Sequence, residues 1–180
     1  MRAGTLLVMA GLAASTANVS VASAQAAGTV HLATVERTVG STARARLLDE
    51  GELEARLESA DRALKRGSEA RARSMYESIA AELRAEKRLP TAAVWRLAAM
   101  EYASGSPLKA AAMLDELASE AAAVNETTVE VMALFEAAHV YALEGKTSES
   151  EARLDRGVRL LGASDLPTAT RVALLKKVRG

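Results

Sequence analysis

Residues 95–114 read WRLAAMEYASGSPLKAAAML, and this stretch decides the fold. Its first half carries apolar residues at helical spacing and runs into Gly105. Ser106 then stands where a helix N-cap stands, with Pro107 at the first helical position, where a missing N–H is harmless. A second apolar helical run follows at once. A helix, a glycine that closes it and a new helix within two residues make a tight helical hairpin.

The same punctuation recurs. Gly67, Gly105 and Gly145 lie 38 and 40 residues apart, about one per hairpin, and self-similarity at such a period marks stacked helical repeats. Start signals fall between the glycines. Asp49 with Glu52, Thr127 with Glu130 and Ser148 with Glu151 have capping-box spacing, and Thr91 after Pro90 is a further start. These marks predict seven helices, at 50–66, 68–86, 91–104, 106–123, 127–144, 148–161 and 167–178. Acid-to-arginine pairs four apart (Glu52/Arg56, Glu58/Arg62, Glu69/Arg73, Glu149/Arg153 and Asp155/Arg159) would support exposed faces by tenths of a kcal/mol each. Stripes such as Leu53, Leu57, Ala60, Leu64 and Leu114, Leu117, Ala121 supply the apolar faces. Aromatic residues are 3% of the chain, so alanine-lined helices can approach closely.

These hairpins resemble the tetratricopeptide repeat. Trp95, Ala99, Tyr102 and Gly105, followed by Ala110 and Leu114, match its bulky–small–aromatic–turn pattern. Leu134, Ala138, Tyr141 and Gly145, followed by Leu154, match again, as do Ala60, Gly67, Ala72 and Tyr76. The match covers residues 50–161. It departs in a period longer than the family's usual ~34 residues, in a second turn one residue short, and in Ser150 at a small position of the third repeat, with Ala152 nearby. The longer period implies longer hairpins or linkers. The resemblance implies an all-α, right-handed α-solenoid of about three hairpins over residues 49–180. The helix from Pro167 would be its polar-faced terminal cap; a basic membrane-surface helix is the alternative.

The resemblance also implies a ligand groove lined by inward-facing residues of the first helix of each hairpin. By register these are Glu54, Leu57, Asp61 and Lys65, then Arg96 and Met100, then Met132, Phe135, His139 and Leu143. The groove is open to a partner, or a neighbouring helix covers these residues as core; the sequence weighs both.

The N-terminus reads differently. Arg2, the apolar stretch 5–14 (TLLVMAGLAA) and the small-residue sites Ala22-Ser23-Ala24 and Ala24-Gln25-Ala26 compose a secretory signal peptide over residues 1–24. Ser15, Thr16, Asn18 and Ser20 interrupt it too early for a spanning helix of ~20 residues. No transmembrane segment is expected after cleavage. Residues 25–48 fit neither the helix nor the strand period and read as a poorly ordered tail or docking segment. The style of the chain looks bacterial, so the expected location is periplasmic or secreted.

Composition narrows the function. The chain has 23 basic and 23 acidic residues, interspersed in sign, which argues against nucleic acid or an anionic membrane as partner. It has no cysteine, so an exported chain would be held by packing alone. His31 and His139 are far apart in sequence, so no metal cluster is read and no cofactor is expected. Ser106-Pro107-Leu108-Lys109 matches S-x-x-K and Lys146-Thr147-Ser148 loosely echoes K-T-G, but those enzymes present the second motif on a strand. Gly145-Lys146-Thr147 is a P-loop tail without its head, because Val140 stands where a glycine is needed. Asn125-Glu126-Thr127 is a glycosylation sequon whose ends serve equally as cap residues. The expectation is therefore a non-enzymatic protein- or peptide-binding adaptor of the cell envelope. A structural subunit of a larger envelope complex is the alternative, and a cell-wall hydrolase the weakest reading.

Overall fold

The structure is a computed structural model that describes residues 48–179. The expected signal peptide, nearly all of the 25–48 segment and His31 lie outside the described residues. Among the described residues seven helices follow one another: α1 (Glu50–Lys65), α2 (Glu69–Ala85), α3 (Thr91–Ala103), α4 (Pro107–Ala123), α5 (Thr127–Leu143), α6 (Thr147–Ala163) and α7 (Thr168–Arg179). There is no strand among the described residues. No helix among them is long and apolar enough to cross a membrane.

One turn design joins α1 through α6. Gly67, Gly105 and Gly145 adopt left-handed φ values of 76°, 85° and 70°, and Lys87 and Asn125 do the same at 58° and 60°. Around each, the same two bonds form. The residue after the left-handed one donates its N–H to a carbonyl five residues back, as in Ser68 to Ala63 and Lys146 to Tyr141. The left-handed residue itself donates three back, as in Gly67 to Leu64 and Asn125 to Ala122. This is the Schellman closure, which satisfies carbonyls that a helix end leaves free. The turn therefore recurs every 18–20 residues, and the glycines mark only alternate turns. The long repeat comes from helices of 16–17 residues, α3 being the short one at 13, and not from long linkers.

That turn also corrects two of the expected capping boxes. Asp49 caps α1 as the sequence suggests, its Oδ1 accepting from Glu52 N–H at 2.7 Å, and its backbone is extended at ψ 161°. The starts of α5 and α6 are instead Glu126 and Lys146, each also the last residue of the preceding turn, with ψ of 69° and 66°. An N-cap side chain reaches the free N–H groups from extended backbone. A residue shared by two helices is not extended, and neither makes a side-chain cap bond. Thr127 and Ser148, the expected caps, are already inside α5 and α6. Ser106 is the cap residue before Pro107, as expected, and for the same reason its hydroxyl makes no cap bond at ψ 56°.

The expected four-apart ion pairs are corrected more broadly. Only Glu58–Arg62 forms. Arg56 bonds Glu82 on α2, Arg73 bonds Glu101 on α3, and Arg153 bonds Asp115 on α4. A long side chain on a helix covers several apolar carbons and can reach a neighbouring element, so these arginines clamp helices to one another.

Consecutive helices from α1 to α6 pack side by side. Ala60, Tyr76, Ile79, Leu83, Val94 and Leu97 form the first core, which extends to Leu117 and Leu134. Ala98, Ala110, Leu114 and Ala137 form a second, narrow one. Val131 and Phe135 of α5, Leu161 of α6 and Leu174 of α7 form a third. Alanines at 0–2% exposure recur through all but the last, so helix backbones approach closely. Ser150 is buried at its small-residue position, whereas Ala152 is exposed. Ahead of α1, Leu48 is buried, and Glu86 and Arg88 bond its N–H and C=O.

Candidate functional site

Three consecutive helices bring Asp61, Tyr76 and Arg96 together. Arg96 lays its guanidinium fork on the Asp61 carboxylate, with Nε to Oδ1 at 2.7 Å and Nη2 to Oδ2 at 3.0 Å. Its remaining Nη1 donates to the Ala92 carbonyl one turn back at 3.2 Å. The Tyr76 hydroxyl donates to Asp61 Oδ1. Two parallel bonds from a planar fork fix direction as well as distance, so α3 is locked across to α1 while Tyr76, fully buried, ties in α2. Burial works to raise the Asp61 carboxyl, but the bonds from Arg96 and Tyr76 outweigh it and hold it below the ordinary value. Burial first, and then the facing carboxylate, pushes the Tyr76 phenol upward.

The arrangement occurs twice. Arg153 of α6 sets Nε and Nη2 on Asp115 of α4 at 3.2 and 2.8 Å, and its Nη1 donates to the Glu149 carbonyl one turn back. Tyr141 of α5 donates to Asp115 at 3.0 Å, with the guanidinium 4.6 Å from its ring centroid. The first triad joins α1, α2 and α3, and the second joins α4, α5 and α6. Each links a helix to the next but one through the tyrosine of the helix between.

Buried carboxylates complete the charge pattern. Glu101, 4% exposed, takes Arg73 from α2 and the Lys109 ammonium from α4 at 2.8 Å. The Lys109 bond first, opposed by burial and reinforced by Arg73, holds the Glu101 carboxyl below its ordinary value. Glu130, 5% exposed, takes Arg156 at 2.6 Å. Each of these carboxylates has a cationic partner, so none is poised as a free general acid or base.

Beside the first triad lies a cleft of about 260 Å³. Asp61, Tyr76 and Arg96 form one part of its lining, Glu69 and Arg73 another, and Leu64, Ala99, Met100 and Ala103 its apolar surface. Three of the ten groove residues read from the sequence, Asp61, Arg96 and Met100, thus converge here. The others do not join them. Leu57 packs half-buried on the first core. Met132 packs against the third core, and Phe135, 7% exposed, belongs to it. His139 and Leu143 are exposed on α5. Of the remaining groove positions, Glu54 and Lys65 are exposed on α1. Phe135 is thus covered rather than open, because its ring lies directly against Gly157 of α6: a Cβ there would come within 2.4 Å of it.

Sequence reasoning missed Tyr76, Arg73 and Ala103 as cleft residues. Tyr76 was legible as a repeat-pattern residue, but nothing in one sequence pairs it with Asp61. Among the described residues no group of three or more His, Asp or Glu is placed to hold a metal ion. The chain matches no protein-family model, no curated protein and no solved structure.

Proposed function

We propose that the protein is an exported, non-enzymatic scaffold of the bacterial cell envelope, built as a right-handed, tetratricopeptide-like solenoid of about three hairpins, and that it binds a protein or peptide. The repeated turn, the 16–17-residue helices and the packing of consecutive helices support the solenoid reading. The two arginine clamps between helices two apart support it further, because they hold a helical array at a fixed spacing. The observation that carries the binding reading is the cleft at Asp61, Arg96 and Met100. Its lining is mostly apolar, with Asp61 and Arg96 paired to each other beside it and Arg73 engaged by Glu101. Such a site suits an apolar side chain presented by a peptide with polar backbone on either side.

Ala103 lines the cleft and is exposed, so Ala103→Trp fills the site without entering the core. The unaltered protein should capture a partner from envelope extract, and a folded Ala103→Trp protein should lose it. Retention of the same partner by the variant would move the binding site elsewhere.

The structural-subunit reading draws on exposed apolar side chains at Leu143, Val158 and Val172, 57%, 50% and 45% exposed. A subunit would return an intact, stoichiometric complex. The hydrolase reading is weakened at its lysine, because Lys109 is bonded to Glu101 as a cation.

A further inference from the structure

The third core has an unusual construction. Its seat is made by Val131 and Phe135 of α5 and Leu161 of α6, all nearly inaccessible. Gly157 removes the side chain that would stand between the Phe135 ring and α6. The seat is closed from outside by α7.

The hold of α7 on that seat is slight. Leu174 is its one buried side chain among the described residues, while Val172 and Leu175 are 45% and 38% exposed. Its main helix-to-helix contact is with α5, not with α6, the helix that precedes it. The connector is also of a different kind. Residues 164–167 carry no left-handed turn; Ser164 is extended at ψ 151°, and Pro167 precedes the helix. Arg171 pins the connector back by donating to the Ser164 and Leu166 carbonyls, both at 2.9 Å. Among the described side chains, Leu174, the half-buried Leu166 of the connector and the polar pin of Arg171 hold α7 to this core, and so few buried contacts sit at the low end of local stability.

We propose that α7 is a removable lid. It occupies, within its own chain, a helix-binding seat whose outside ligand is an amphipathic helix with a leucine at the centre of its apolar face. The proposal rests on the reading of the chain as a protein-binding scaffold and adds a second, gated site to it. The occupant is argued from what sits there: the seat accepts one leucine between Phe135 and Leu161, and the helix carrying it leaves aliphatic neighbours half in water. A partner helix that buries its own equivalents of Val172 and Leu175 more fully has a differential advantage, and only such a difference moves a lid equilibrium. While the lid is closed, apparent affinity for the outside helix is reduced by the open fraction.

Two measurements test it. Hydrogen exchange on the unaltered protein should open the α7 amides at least ~100-fold faster than those at the centre of α5, as a local unit would. The second uses a fluorescein-labelled synthetic peptide of residues 165–180. Leu174→Asp in the protein unseats the resident helix and leaves the seat intact. The peptide should bind this variant about tenfold or more tighter than the unaltered protein, and a peptide with the same substitution should not bind. Equal protection of α7 and α5 would overturn the proposal. So would a folded Leu174→Asp protein that ignores the peptide, or one whose α5 and α6 lose protection, since α7 would then be structural. The envelope capture described above uses the cleft at Asp61, so its failure leaves this test standing.

Discussion

Replacing Gly157 by alanine inverts a general rule and so tests the packing of α5 on α6 directly. In a helix interior, alanine is favoured over glycine by about 0.5–1 kcal/mol, because glycine loses more backbone entropy on folding. At Gly162, near the end of the same helix, an added Cβ meets nothing within 4 Å. Gly162→Ala should therefore stabilise the protein, by about 0.5 kcal/mol this close to the helix end. At Gly157 the added Cβ would sit 2.4 Å from Phe135 Cε1 and 3.0 Å from Cδ1. Carbon atoms find their optimum near 3.5–4.0 Å, so ring or helix must move by about an ångström in a core where Val131 and Leu161 are already buried. Overpacking of this kind costs about 1–3 kcal/mol. Set against the alanine preference, the net loss should be up to about 2.5 kcal/mol. Urea unfolding of both variants beside the parent reads the two signs in one experiment. Removing the ring should cancel the clash, so Gly157→Ala made in a Phe135→Leu background should be neutral or stabilising. A coupling of about 1–3 kcal/mol between the sites would follow, within the range neighbouring residues show. If Gly157→Ala stabilises as Gly162→Ala does, Phe135 does not lie against α6.

Three further outcomes are expected. Lys87→Gly should raise the urea midpoint by the equivalent of about 0.5–1 kcal/mol, since the left-handed φ costs a lysine roughly 1–2 kcal/mol and glycine returns part of that gain as unfolded-state entropy; a lower midpoint would refute the left-handed turn there. Phe135→Ala should cost about 3–5 kcal/mol, as a core residue does; a thermal midpoint unchanged by the substitution would put the ring back on the surface. Glu101 and Asp61 have folded values below their unfolded ones, so their stabilisation is fully present above about pH 5 and is lost as pH falls through the lower folded values. Urea midpoints should hold near neutrality and fall in acid, and Glu101→Gln should flatten that fall; an equally steep fall in the variant would remove Glu101 from the account.

The helices were legible because their signals are local. Periodicity, Gly67, Gly105 and Gly145 gave seven helices whose ends agree with the structure to within two residues. The alternate turns were less legible. Asn125 tolerates left-handed backbone, but its place beside Thr127 reads equally as a cap or a sequon. Lys87 carries no signal at all: lysine in that conformation is strained and is held there by its flanks. Glu86 and Arg88 grip the backbone of Leu48 from either side of it. The turn closes with the same local bonds as the others, and its flanks add contacts thirty-eight and forty residues away that cannot be read along the chain.

The same limit explains why the candidate site was only half visible. Asp61, Arg96 and Met100 were found through a repeat register, which places residues on a face but does not say which faces meet. The arginines show where local reasoning misleads. Glu149 and Arg153 sit at a spacing that suits an exposed pair, yet the guanidinium turns to Asp115 and leaves Glu149 only its backbone carbonyl as a partner. An exposed four-apart pair is worth tenths of a kcal/mol. A bidentate, partly buried bond to a carboxylate on another helix is stronger, because both hydrogen bonds are charge-assisted and screened less by water. Wherever a neighbouring helix offers a carboxylate within reach of the fork, the longer contact wins. Arg56 and Arg153 follow it with two bonds each and Arg73 with one to the buried Glu101, while Arg62, which pairs with Glu58 on the exposed side of α1, keeps the local one. The pattern of arginines is therefore a record of which helices touch, readable once the turns have fixed the order in which helices stack, and it is this pattern that places Arg96 across Asp61 at the edge of the cleft.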